Sequence, residues 1–329
     1  MQTTVNPQLG LLDSLLPAVP ANDFLEKLET CLDWRPLEEA LQALYPATTG
    51  RPPHAPLALF KMSLLQHCYG LSDPQCEELV SDRFSWRRFV GLGLQDAVPD
   101  ETTLVRFRQR LRAHGLHETL LALVNQQLEG KGLILKTCTL VDATLLQAAR
   151  RMPTRRVPAS ENPDTPTSKG GNGGDADADY TVRKGQVHYG YKAHIAADET
   201  YTLIRKATMT SARIQDGCEL LNVVAGDEKT VTADKAYWSR KHGAWCVAHG
   251  VTNGILRKAQ RGEKLSAEVV RRNRRWGVIR RQIEKVFGWW KRSTAYRRVR
   301  YVGWSANRLE LEFKCICWNL KRLTNVATA

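Results

Sequence analysis

Two short apolar runs rich in strand-forming residues, each followed at once by an aspartate, constrain this chain more than any other feature. Leu133–Val141 leads directly to Asp142. Thr230–Ala233 leads to Asp234 in the same way. Both runs have the composition and length of buried strands. Because ligand sites form at the carboxyl ends of strands in α/β sheets, the pattern predicts a mixed α/β fold with two functional aspartates.

A third acidic residue lies in the predicted helix Ala267–Arg292, which is strongly basic. In this helix Arg280, Glu284 and Lys291 are four and seven positions apart, so at about 100° per residue they share one face. Carboxylates converging from different elements are the ligands that a pair of hard Mg²⁺ ions requires. The candidate metal ligands and catalytic residues are therefore Asp142, Asp234 and Glu284. The alternative for the helix is a surface element with i,i+4 ion pairs.

The distribution of charge indicates a polyanionic partner. The 329 residues include 48 Lys or Arg and 34 Asp or Glu, which gives a formal net charge of +14. Between Arg257 and Arg300 there are 16 basic residues against 3 acidic ones. Such a region suits DNA phosphates, so Arg280 and Lys291 are candidate DNA contacts. A solvated basic face is the alternative.

Cysteine usage and hydropathy exclude other classes of protein. The eight cysteines include no C-x-x-C pair and the eight histidines show no metal-binding spacing, which favours reduced thiols in a cytoplasmic protein. The N-terminus has neither the basic region nor the apolar core of a signal peptide. No apolar stretch is long enough to span a bilayer, so we expect no membrane association. We also expect no small-molecule substrate.

The N-terminal part of the sequence predicts helices. From Asn22 to about Glu129, apolar residues recur at helical spacing, and Pro56 and Gly70 mark the start and the end of one helix. The segment Thr102–Arg112 is basic on one side and apolar on another. It resembles the second helix of a helix-turn-helix, which lies in a major groove. An ordinary basic amphipathic helix is the alternative.

The segment Thr102–Arg112 supplies two candidate DNA contacts, Arg106 and Arg110, on its basic side. Further along the chain, residues 151–185 contain four prolines, a G-G-N-G-G tract and an alternating D-A-D-A-D. This composition predicts a flexible insertion. Further predicted elements are the strands Val187–Ala197, Thr202–Thr210 and Val251–Arg257 and the helices Ala212–Ala225 and Trp304–Leu323.

Three other residues are candidates for supporting roles. Lys192 lies on a predicted strand whose side chains alternate between two faces, so it is a candidate phosphate contact or a surface lysine. Asp216 is either a helix N-cap or part of the site. Trp289 points away from the apolar stripe that includes Trp290, so Trp289 is a candidate for stacking on a DNA base.

The motifs occur in an order that resembles a known family. The spacing R-x-x-x-E-x-x-x-x-x-x-K at Arg280 is similar to the C-terminal signature of DDE-type insertion-sequence transposases of the IS-four/IS-five superfamily. The segment H-Y-G-Y-K-A-H-I-A-A-D, residues 188–198, resembles the second strand of that family's catalytic core. Arg51–Gly115 resembles the helical N-terminal domain of the IS-five-like branch. The resemblance covers about residues 45–323, and Gly277 stands where the family commonly has Tyr.

The resemblance implies a ribonuclease H-like mixed sheet with flanking helices, preceded by an all-α domain. It implies a DNA-binding domain at residues 1–130 and a catalytic domain at residues 131–329. A transposase of this kind would bind the terminal inverted repeats and target DNA, cleave the ends, and join 3′-hydroxyls to the target. Two Mg²⁺ ions, with Mn²⁺ as a substitute, would serve the reaction, and a homodimer would synapse the ends. The alternatives are an inactive DNA-binding regulator and a ribonuclease H-like nuclease without strand transfer.

Overall fold

A computed structural model of the chain describes residues 23–45, 54–153, 174–260, 262 and 264–326. The chain divides into two compact units. One is built from residues of 1–131 together with 312–329, and the other from residues of 132–311. Among the described residues, no helix combines the length and apolar character that crossing a membrane requires.

The first unit is helical, as the sequence predicts. The helices in its described part are α1 Asp23–Cys31, α2 Arg35–Gln42, α3 Pro56–Tyr69, α4 Asp73–Asp82, α5 Phe84–Val90, α6 Glu101–Ala113 and α7 Leu116–Gly130. Pro56 starts α3 and left-handed Gly70 (φ 71°) ends it, so this helix has the predicted boundaries. Ser72 and Gln75 form a reciprocal capping box at the start of α4.

Part of the final helix completes the core of the first unit. This helix, α12 Trp304–Val326, belongs to the first unit from Glu312 onward. Phe313 is buried, with its ring centroid 5.7 Å from that of Phe60 and 4.6 Å from that of His67. Lys314 Nζ donates to the backbone oxygen of His67 at 2.8 Å. The C-terminal segment therefore supplies aromatic packing and a buried cation to the N-terminal helices.

The second unit contains a six-stranded mixed sheet. Its strands are β1 Thr139–Gln147, β2 Asp179–Arg183, β3 Gln186–Asp198, β4 Ile204–Ser211, β5 Thr230–Ala233 and β6 Thr252–Asn253. β1 is central, antiparallel to β3 and parallel to β5. β3 also pairs with β2 and β4, and β5 pairs with β6 in parallel. This order confirms the predicted ribonuclease H-like mixed sheet.

Helices flank this sheet. They are α8 Leu220–Val223, α9 Arg240–Ala248, α10 Ala267–Arg280, α11 Glu284–Ser293 and the beginning of α12. Apolar residues of the central strands form a core with α8 and α9. The core includes Val141, Ala196, Leu220, Val223, Val231, Ala233 and Cys246. Burial of these side chains fixes the positions of β1 and β5 relative to each other.

Several predicted boundaries are wrong. The first strand was expected to run over Leu133–Val141 and to end at Asp142, but β1 continues to Gln147 because it pairs with β3 as far as Gly190. The predicted helix Ala212–Ala225 is a 3₁₀ turn at Asp216–Glu219 followed by the single turn of α8. The predicted strand Val251–Arg257 is only the two residues of β6. The ends of these strands and helices are set by strand pairing and packing and not by local sequence propensity.

The predicted helix Ala267–Arg292 is interrupted. A 3₁₀ turn at Arg281–Ile283 separates α10 from α11, so Glu284 is the first residue of α11. A 3₁₀ turn has about three residues per turn, which shifts the face on which the following residues lie. The predicted flexible insertion is partly an ordered strand, since β2 lies within residues 151–185. Residues 154–173 of that insertion lie outside the described residues.

Candidate active site

The parallel pairing of β1 with β5 places the two predicted aspartates next to each other. Val141 is the register partner of Ala233, and each is followed directly by one of the aspartates. Neighbouring strands are about 4.8 Å apart, so Asp142 and Asp234 occupy adjacent backbone positions at the end of β5. A pair of carboxylates is thus fixed by buried strands and not by mobile loops.

Asp142 lies in an environment that disfavours its own negative charge. Its side chain is 19 % exposed, and its Oδ1 accepts a hydrogen bond from the amide of Ala143 at 2.9 Å. Burial raises the pKa of Asp142 to about 6, although Arg280 opposes this shift. The negative charges of Asp234 and Asp216 raise the pKa further. A nearby cation would therefore stabilise the ionised carboxylate of Asp142.

Asp234 is the N-cap of a 3₁₀ turn at Lys235–Tyr237. Its Oδ1 accepts a hydrogen bond from the amide of Lys235 at 2.7 Å. The turn directs the buried side chain of Tyr237 toward the same region. Burial, and then the charges of Asp216, Asp142 and Asp234, raise the pKa of the Tyr237 hydroxyl. These three carboxylates therefore all lie within electrostatic reach of one buried tyrosine.

Glu284 reaches this region through Arg280. Its side chain is 60 % exposed, and Oε1 lies 3.8 Å from Arg280 Nη2. The other terminal nitrogen, Arg280 Nη1, contacts Asp142 Oδ2 at 2.5 Å. Within the described ranges, no three Asp, Glu, His or Cys side chains form a group that could hold a metal ion. The structure thus brings Asp142 and Asp234 together and links Glu284 to Asp142 by a guanidinium.

The ammonium of Lys192, a predicted DNA contact, is engaged within the protein. Lys192 Nζ donates to the backbone oxygen of Ile214 at 2.7 Å and lies 2.8 Å from Asp216 Oδ1. Asp216 opens its 3₁₀ turn without capping it, since Gln215 occupies the N-cap position. The N-cap interpretation of Asp216 is therefore wrong, and its carboxylate instead neutralises Lys192. A DNA contact by Lys192 stays a prediction.

A buried histidine next to this pair was not found by sequence reasoning. His194 Nε2 is 2.9 Å from Thr210 Oγ1, and Nδ1 is 3.5 Å from the Tyr237 hydroxyl. Burial lowers the pKa of His194 to about 4, so the ring is neutral near pH 7. The sequence feature that could have pointed to His194 is the alternation of side chains along β3, which places His194 and Lys192 on the same face.

The two predicted basic contacts of the C-terminal helix have different surroundings. Arg280 contacts carboxylates, whereas Lys291 is half-buried beside Arg183 and Arg297, and burial followed by these two cations lowers its pKa. Trp290 is fully buried against Tyr296, at 5.8 Å between ring centroids, which confirms its assignment to the core. Trp289 is partly exposed, and base stacking by Trp289 stays a prediction.

The predicted groove helix lies in the first unit as α6. Arg106 and Arg110 are exposed, and the guanidinium of Arg110 lies 4.4 Å from the ring centroid of Tyr45. Residues 91–100 connect α5 to α6, which is longer than the three- or four-residue turn of a helix-turn-helix. The two helices therefore do not form that motif. Sequence reasoning also missed buried Arg108, which pairs with Asp73 at 2.7 Å.

Comparison with protein families identifies the chain. Residues 13–110 match the family described as Transposase domain (DUF772), and residues 135–320 match the family described as Transposase DDE domain. No solved structure matches the chain. These matches confirm the predicted resemblance to DDE insertion-sequence transposases, while the IS-five-like branch stays a prediction. Since the second match covers more than half of the 329 residues and includes the paired aspartates, the chain belongs to the Transposase DDE domain family.

Proposed function

We propose that the protein is a transposase that binds the terminal inverted repeats of its insertion sequence, cleaves DNA at these ends and joins the 3′-hydroxyls to target DNA. The observation that carries the proposal is the adjacent position of Asp142, on β1, and Asp234, directly after the parallel strand β5. In a member of the Transposase DDE domain family, such a pair suits phosphoryl transfer.

The oxygen donors of these carboxylates suit divalent cations, although in this structure Arg280 lies between Asp142 and Glu284 and the three side chains do not form one metal-holding group among the described residues. Asp142, Asp234 and Glu284 would hold Mg²⁺, or Mn²⁺ in its place, because carboxylate oxygens are the ligands that hard cations prefer. The mutual repulsion of the acidic groups around Asp142 supports this assignment. When bound, two such ions supply activation of the attacking oxygen and stabilisation of the leaving oxygen.

The chain's own residues position these carboxylates. Arg280 connects Asp142 with Glu284 through its two terminal nitrogens, so it keeps the exposed glutamate close to the strand aspartate. Arg106 and Arg110 on α6 would read the terminal repeats, and Arg280, Lys291, Lys192 and Trp289 would contact DNA near the break. Two ends must be cut together, so a homodimer would act on the synapsed ends.

A strand-transfer assay tests the proposal. Asp142→Asn, Asp234→Asn and Glu284→Gln should each lower metal-dependent cleavage at least about a hundredfold while DNA binding survives, because each removes a charged metal-ligand oxygen. Glu268→Gln, an exposed glutamate of α10, is the matched control and should retain activity.

The assay also separates the alternatives. An inactive regulator would bind the ends without cutting them, and a nuclease would cut without joining. Normal cleavage by any one of the three variants would remove that residue from the site.

A further inference from the structure

The hairpin of β2 and β3 fixes two basic side chains on one face. Lys184 and Gly185 form its two-residue turn, with φ values of 52° and 77°, as a type I′ turn requires. The register pairs Arg183 with Gln186 and Thr181 with His188. Paired residues point to the same face of a sheet, so Arg183 and His188 lie together on the hairpin.

This face of the hairpin lines a cavity of ≈ 320 Å³. The end of β1, from Leu145 to Gln147, and the C-terminal part of α11 complete the wall. Among the residues that the structure describes, the lining contains no acidic side chain. Its basic members, which we call the basic pocket, are Arg183, His188, Lys291 and Arg297.

The cations of the basic pocket are not neutralised by carboxylates of the described ranges. No ion pair of Arg183, Lys291 or Arg297 with an acidic side chain occurs there, and Arg297 Nε donates only to the backbone oxygen of Lys291, at 3.2 Å. By contrast, two mostly buried arginines of the same unit are paired with carboxylates. Arg280 contacts Asp142, and Arg205 contacts Asp227.

Within this cluster the lack of an anion is most unfavourable for Lys291, because Arg183 and Arg297 are exposed to solvent. Lys291 is half-buried, and the proximity of Arg183 and Arg297 adds like-charge repulsion to the loss of solvation. A bound anion removes both costs. The lining also includes the apolar side chains of Leu145 and Leu146, which suit a deoxyribose beside a phosphate.

We propose that the basic pocket binds one backbone phosphate of a DNA strand, next to but separate from the phosphate at the carboxylates. The inference rests on the proposed function. Lys291 follows Glu284 by seven residues of one helix, which corresponds to a rise of about 10 Å at 1.5 Å per residue. The pocket therefore lies within a few nucleotides of the carboxylates along a bound strand.

Salt titrations of the full-length protein on a random 30-base-pair duplex test the pocket. The variants are Arg183→Gln, Lys291→Gln and Arg297→Gln, and the matched control is Lys241→Gln, an exposed lysine of α9. Each pocket variant should flatten the slope of log affinity against log salt, by up to about one unit if the contact with the single phosphate is lost completely. The control should keep the wild-type slope.

Thermal unfolding without DNA excludes a purely structural role. Removing one of several mutually repelling cations should leave the melting temperature unchanged or raise it. A lower melting temperature combined with an unchanged salt slope would overturn the proposal. An unchanged slope for all three variants would overturn it as well.

Inorganic phosphate distinguishes a free anion from DNA as the ligand. Binding of phosphate that shifts the imidazole signals of His188, together with unchanged salt slopes on the duplex, would show a free-phosphate pocket and refute the DNA assignment. Duplexes of the element's end with single uncharged methylphosphonate linkages then locate the contact. Wild type should lose affinity at one linkage within a few nucleotides of the cut, and Arg183→Gln should be insensitive there.

The outcome is separable from that of the proposed function. Asp234→Asn should retain the wild-type salt slope, because the basic pocket does not include it. Flattened slopes in the pocket variants of a protein that never cleaves DNA would refute the proposed chemistry and support the pocket. If wild type cleaves DNA and the pocket variants keep the wild-type salt slope, the result would support the proposed chemistry and refute the pocket.

Discussion

Arg280 Nη1 lies 2.5 Å from Asp142 Oδ2, although the two residues are 138 positions apart in sequence. The contact joins the most basic segment of the chain to the central strand of the sheet. It also gives Arg280 a role within the protein that its helical spacing from Glu284 does not reveal. The i,i+4 pair with Glu284 is the longer of its two contacts, at 3.8 Å.

Arg280→Ala should therefore destabilise the protein. Both partners of the Arg280–Asp142 pair are mostly buried, and loss of the guanidinium leaves the carboxylate without its partner. We expect the free energy of unfolding to fall by about 1–3 kcal/mol. Denaturant unfolding of Arg280→Ala and of Lys291→Ala measures the difference. Equal stability of Arg280→Ala and wild type would show that the pair contributes nothing to the fold.

Two glycines should respond to alanine in opposite directions. Gly277 lies inside α10, and a Cβ there would meet only Leu256 Cδ1 at 4.0 Å. Gly277→Ala should stabilise the protein by about 0.5–1 kcal/mol, because alanine loses less conformational entropy in a helix. Gly190→Ala should destabilise it, because a Cβ would collide with the backbone oxygen of Leu146. Melting temperatures that move in the same direction for both variants would contradict this prediction.

Arg106→Ala and Arg110→Ala should weaken sequence-specific binding to the element's ends. Both side chains are exposed on α6, and a base contact contributes about 1–3 kcal/mol. Arg88→Ala is the control, because Arg88 is exposed on α5 and pairs with Glu26. The measurement is the affinity of each variant for the specific duplex and for a random duplex, and we expect the loss on the specific duplex. A uniform loss on both duplexes would indicate phosphate contacts instead.

A fragment of residues 1–131 should fold poorly. It lacks Phe313, which packs against Phe60 and His67, and loss of a buried aromatic typically costs about 3–5 kcal/mol. Circular dichroism and thermal unfolding of the fragment, with and without a fused segment 312–326, measure the effect. A cooperative transition of the fragment alone at the temperature of the fused form would show that the segment is dispensable.

The sequence was sufficient where local chemistry decides the structure. Pro56 and Gly70 marked α3, and the apolar run before Asp234 marked β5, because helix ends and buried strands have strong local signals. The resemblance to DDE transposases implied a sheet of this kind, and the pairing of β1 with β5 places the two aspartates next to each other.

Other features depend on contacts between distant segments. The 3₁₀ turn at Arg281–Ile283 and the extension of β1 to Gln147 have no local signature. β2 arises within a sequence of low hydrophobicity because β3 offers it a pairing edge. The partners of Arg280 and Lys192 could not be read from spacing, since both lie on other elements.

The contribution of α12 to the helical unit makes the folding of that unit depend on the order of synthesis. Residues 23–130 leave the ribosome long before Phe313 and Lys314, which complete their core. A chain that ends before α12 would contain α6 but would lack the packing of Phe313 and the hydrogen bond of Lys314 that complete the core. If α6 binds the element's ends, as proposed, prematurely terminated products would compete weakly for those ends with chains translated through α12.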